Sequence, residues 1–74
     1  MTVFAVVTVA TEIEGRFTAV RFEKAFTSAR KAELYVKDLA KTWRENVPMP
    51  QGNIDCMCER GVHELQVDED NSVQ

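Results

Sequence analysis

Residues 3–11, VFAVVTVAT, form a nearly unbroken apolar run rich in β-branched side chains. Such a run suits a central strand covered on both faces. Side chains alternate along a strand, so Val3, Ala5, Val7 and Val9 point one way and Phe4, Val6 and Ala10 the other. Both sets are apolar, and both need something laid over them. In a chain of 74 residues there is room for one small core. A single helix can cover only one side of the sheet, so the other side is expected to meet a partner or a second copy of the chain.

The rest of the chain supplies one helix and a few more strands. Glu12–Arg16, EIEGR, carries a turn signal in Gly15. Phe17–Phe26 then reads as a second strand, with Thr18, Val20 and Phe22 on one face and Arg21 and Glu23 on the other. A short link between consecutive strands predicts an antiparallel hairpin. Thr27 or Ser28 can cap the first turn of a helix, and no Gly or Pro interrupts the sequence until Pro48. The spacing predicts a helix over about residues 28–46. Ala29, Ala32, Val36, Leu39, Ala40 and Trp43 gather on one side at 100° per residue, with Tyr35 at the edge. Trp43 is expected in the core, packed with Val36 against Val20 and Phe22.

VPMPQGN, residues 47–53, is a loop expected to carry the chain back across the sheet. From Ile54 the pattern alternates again. Ile54, Cys56 and Cys58 share one face, and Asp55, Met57 and Glu59 the other; His63, Leu65 and Val67 share a face further on. Residues 54–68 are either one bulged strand or a hairpin turning at Arg60-Gly61. The predicted fold is α+β, an antiparallel three- or four-stranded sheet with one helix on one face, in the order ββαβ or ββαββ. One domain spans residues 1–68, and residues 69–74, EDNSVQ, read as an acidic flexible tail.

Function is less legible. The opposite side of the predicted helix carries Arg30, Leu34, Lys37, Lys41 and Arg44. This row is the expected partner-binding surface, its leucine supplying apolar area and its cations steering an acidic protein. A net charge of −3 gives no general attraction to nucleic acid or to an anionic membrane. The expectation is a cytoplasmic protein with no membrane segment, since the apolar run is too short to cross a bilayer. Cys56-x-Cys58 followed by His63 has a metal-like composition, but closed zinc sites use wider spacings and four ligands. The two cysteines are expected to be free, metal-free core residues. No phosphate-cradling glycine loop and no carboxylate pair suggest catalysis, so neither cofactor nor enzymatic activity is expected.

The opening VFAVVT, the segment VRFEKAFTSARKAELYVKDL and the closing VHELQVDED resemble a group of small phage and bacterial ββαβ proteins. Phe26, Thr27 and Ala32 match that group's step into its helix, while the CMC stretch and the proline-containing loop depart from it. The resemblance implies a compact accessory protein, often encoded by a phage or mobile element, and brings no catalytic residues. The leading expectation is a non-enzymatic protein-interaction module, self-associating through a sheet face. A phage-encoded modulator of a host protein would be one instance. The alternatives are a metal- or thiol-dependent protein using Cys56, Cys58 and His63, and an anionic-ligand or nucleic-acid binder using the basic row.

Overall fold

The computed structural model describes residues 1–68; the tail expected over 69–74 lies outside them. The elements run β1 (Thr2–Glu12), β2 (Thr18–Phe26), α1 (Ala29–Leu39), β3 (Thr42–Val47) and β4 (Ile54–Gln66). All four strands join one antiparallel sheet in the order β2-β1-β4-β3, with α1 packed against it. The fold is α+β, in the order ββαββ.

The first hairpin closes as its turn chemistry suggests. Gly15 takes a φ of +78°, and its N–H donates to the Glu12 carbonyl at 2.8 Å. Such a φ is open to glycine at no steric cost. Residues 54–66 form a single strand without a turn at Arg60-Gly61, pairing with the whole of β1 in unbroken register. The 48–53 loop does not cross the sheet; it closes a hairpin between the neighbours β3 and β4.

The helix starts where its cap signal lies, the Ser28 side chain accepting from the Lys31 N–H at 3.4 Å. It ends early. Periodicity alone carries it to residue 46, yet it stops at Leu39, and Thr42–Val47 becomes the edge strand β3. At the break Ala40 has a φ of +107°, with its N–H donating to the Val36 carbonyl at 2.8 Å. No glycine or proline forces this. What β3 gains is a ladder along β4 from Ile54 to Glu59. Arg60 fastens the break from the side, its backbone N–H on the Lys41 carbonyl at 2.7 Å and its Nη1 on the Ala40 carbonyl at 2.7 Å. Tertiary pairing has overridden a local helical pattern.

Trp43 is therefore not a helix residue in the core. It is half-buried on β3, with the Arg60 guanidinium 3.8 Å above its ring and its Nε1 donating to Glu45 at 3.1 Å. The core proper is small: Val6, Ala32 and Val36 are buried, with Phe4, Phe26, Tyr35 and Val62 packed around them.

A bulge in β2 overturns a second expectation. Val6 pairs with Lys24 but Val7 with Phe22, so Glu23 is an extra residue. A one-residue shift sends every following side chain to the opposite face. Phe26 accordingly packs on the helix side, while Val20 and Phe22 turn away from the helix and lie 69% and 63% exposed.

Candidate protein-interaction surface

The two faces of the sheet are finished very differently. Residues directly opposite on neighbouring strands share a face. Phe4, Val6, Thr8, Ala10 and Glu12 therefore lie on the helix side with Val62, Arg60, Cys58 and Cys56. The helix covers the Phe4 and Val6 end. Beyond it, this face closes over itself with paired polar groups. Thr8 is buried and donates to Glu23 at 2.6 Å, and the Arg21 Nε reaches the same carboxylate oxygen at 2.9 Å. Those two hydrogen bonds, the Thr8 one first, hold the Glu23 carboxyl below its ordinary range. Arg60 lies over Trp43, although its buried Nε has no acceptor among the described residues. At the far end Arg16 grips Glu12 with two side-chain bonds, at 2.8 and 2.7 Å, and these depress the Glu12 carboxyl.

Among the described residues the opposite face has no such lid. Val9 pairs with Val20, Val7 with Phe22, Val3 with Leu65 and Thr11 with Met57. Val20, Phe22, Leu65 (49% exposed) and Met57 (46% exposed) thus stand on one continuous surface beside Val3, Val7 and Val9. Charge lies toward β3, where Arg44 pairs to Asp55 at 2.9 Å with Asn46 donating to the same carboxylate at 2.7 Å, and Glu59, opposite Val9, is exposed beside them. These contacts, the Asn46 bond first, lower the Asp55 carboxyl. This face therefore exposes large apolar side chains over three of its four strands.

The expected row Arg30, Leu34, Lys37, Lys41 and Arg44 does not survive as one surface. Arg30, Leu34 and Lys37 lie exposed on α1, Lys41 falls in the link after the helix, and Arg44 sits on β3, paired to Asp55. The row was a product of the helical phase past Leu39.

Cys56, Cys58 and His63 are not brought together. Both cysteines are free and buried on the helix side, whereas His63 pairs with Ala5 and belongs to the other face. Among the described residues no three of His, Cys, Asp and Glu group as metal ligands. Burial, with Glu45 nearby, pushes the Cys58 thiol up, the opposite of what a nucleophile needs. No described helix is long and apolar enough to cross a membrane.

The surface residues that sequence reasoning missed are Val20 and Phe22, assigned to the core because alternation along β2 gives no sign of the bulge. The apolar second face of the first strand was the signal pointing to this side. No protein-family model, curated protein or solved structure matches the chain.

Proposed function

We propose that this chain is a protein-interaction module with no chemistry of its own, working as a homodimer whose copies pack helix-free face against helix-free face. The observation that carries this is the exposed apolar band of Val20, Phe22, Leu65 and Met57, set against a face whose centre is covered by the helix and by paired polar groups. A second copy is the natural occupant for two reasons. The band is apolar along β1 and β2, with charge held to the side where Arg44, Asp55 and Glu59 lie, so an equally apolar copy of itself matches it. Its size also suits: strands of 11, 9, 6 and 13 residues make about 600 Å² of flat sheet at ~3.3 Å rise and ~4.8 Å spacing. That is comparable with the roughly 800 Å² that each partner contributes to a stable interface.

The domain extends only 17 Å along its shortest axis, the depth of one sheet and one helix. Two such slabs stacked sheet to sheet give a helix–sheet–sheet–helix sandwich with a continuous core, a standard aligned packing. The outer face of α1, where Arg30, Leu34 and Lys37 remain together, then stays free for another protein with an acidic surface. A phage-encoded modulator of a host protein is one form this takes, an origin that rests on resemblance of residue pattern alone.

Sedimentation across a concentration series tests the reading. Wild type should pass from monomer to dimer, while Phe22→Glu stays monomeric with an unchanged circular-dichroism spectrum. A wild type that remains monomeric at every concentration, or a Phe22→Glu variant that dimerises as well as wild type, overturns it.

A further inference from the structure

Among the described residues the sheet shows three exposed stretches of edge, and two of them are blunted. The outer edge of β2 carries the bulge at Glu23 together with Arg21 and Lys24, and β3 is short and charged, with Arg44 and Glu45 at its centre. Bulges, brevity and charge are the usual protections against unwanted strand pairing. The third edge is the distal half of β4. There β3 has ended, since its ladder stops at Glu59, while β4 runs on to Gln66.

The orientation of the backbone along this edge follows from its hydrogen bonds. The Arg60 N–H points outward, donating to Lys41, and the Val67 N–H points inward, donating to Met1. With a period of two, the N–H and C=O groups of Val62 and Glu64 face outward, where no strand among the described residues pairs with them. Beside them lies a cleft of about 490 Å³, walled by Val36 and Lys41 from the helix end and by Gly61, Val62 and His63 from β4. Val7, from the opposite face of the sheet, also reaches it. A cleft touched by residues of both faces runs along an edge, so the space in line with the sheet is open there.

We infer that the distal edge of β4 binds an extended segment of another protein by strand addition, with apolar residues opposite Val62 and Leu65 and a Lys or Arg opposite Glu64. Main-chain bonds to Val62 and Glu64 supply the attachment, and alternate side chains supply the choice. The residue opposite Val62 enters the cleft against Val36. The one opposite Leu65 extends the apolar helix-free face by a strand. Glu64 is exposed and makes no ion pair among the described residues, and like charges directly opposite each other on paired strands repel. This disfavours two copies meeting edge to edge in the register that sets Glu64 against Glu64. The inference rests on reading the chain as an interaction module and names its partner's form.

The test uses the full chain, isotope-labelled, and the synthetic peptide acetyl-Thr-Val-Arg-Thr-Val-Thr-amide, whose antiparallel pairing sets Val, Arg and Val opposite Leu65, Glu64 and Val62. Addition of peptide should slow hydrogen exchange at the Val62 and Glu64 amides, and these should exchange freely without it. Glu64→Pro removes an outward N–H without touching the β1 ladder and should weaken peptide binding at least about tenfold. Glu64→Arg should reject this peptide and accept one carrying Glu in place of Arg. Phe22→Glu should abolish dimerisation yet leave peptide binding unchanged, so this inference and the proposed dimer fail separately. Equal binding by Glu64→Pro, peptide binding without protection of Val62 and Glu64, or concentration-dependent protection of those amides in the free protein (a second copy on the edge) would each overturn it.

Discussion

Replacing Ala40 by glycine should make this protein more stable, and the sign of that change decides where the helix ends. In the structure Ala40 has a φ of +107°, a region that costs a non-glycine residue about 1–3 kcal/mol. Glycine relieves that strain but loses about 0.4–1 kcal/mol through the greater freedom of its unfolded chain. The net expectation is a gain of roughly 0.5–2 kcal/mol. The continuous helix suggested by periodicity makes the opposite prediction. There residue 40 is a helix interior position, and glycine would cost about 1 kcal/mol relative to alanine. Urea unfolding followed by circular dichroism separates the two, since a gain of 1 kcal/mol in a domain this small raises Tm by about 4–8 °C. The Arg60 contacts to the carbonyls of residues 40 and 41 survive the substitution, because they use backbone acceptors. A lower midpoint for Ala40→Gly would refute the break, and with it the existence of β3.

Other expectations follow from particular contacts. Glu23→Ala leaves the buried Thr8 hydroxyl without its acceptor and should cost about 1–3 kcal/mol; Thr8→Val in the same chain should restore part of it, measured by a double-mutant cycle in urea. Because the Glu23 carboxyl is held low in the folded state, its contribution is present above the unfolded value near ~4.3 and is lost as pH falls through the folded one. The gap between wild type and Glu23→Ala should therefore close in acid unfolding curves. Trp43→Ala should cost about 1–2 kcal/mol, from a half-buried ring and a stacked arginine, rather than the 3–5 kcal/mol typical of a core tryptophan. Iodoacetamide should modify Cys56 and Cys58 only as the chain unfolds, a mass-spectrometric measurement that would contradict the burial of both thiols if labelling were fast in buffer.

How much of this was written in the residues depends on whether the determinant is local. The hairpin at Gly15, the Ser28 cap and the inward-facing Cys56 and Cys58 all rest on near neighbours, and each was legible. So was the surplus apolar face of the first strand, which led directly to the expectation of a covered sheet. The end of the helix was not legible, because Thr42–Val47 keeps the helical phase, Trp43 falling four residues after Leu39. Only the ladder offered by the distant Ile54–Glu59 decides against it. Nor does any residue announce the bulge at Glu23. Across the strand the buried Thr8 hydroxyl bonds the carboxylate of the bulged Glu23, and the bulge moves Val20 and Phe22 from the predicted core to the outer face. Both misses displaced the candidate site, breaking the basic row at Lys41 and Arg44 and hiding half of the apolar band.

The central claim, that two copies meet through their helix-free faces, is tested most directly by an isotope-filtered NOE experiment on an equal mixture of labelled and unlabelled chains. Contacts between the Phe22 ring of one copy and the methyl groups of Val7, Val20 and Leu65 of the other are the predicted result. Intermolecular contacts confined to α1 or to the edge of β4, or none at a concentration where sedimentation shows a dimer, would contradict it.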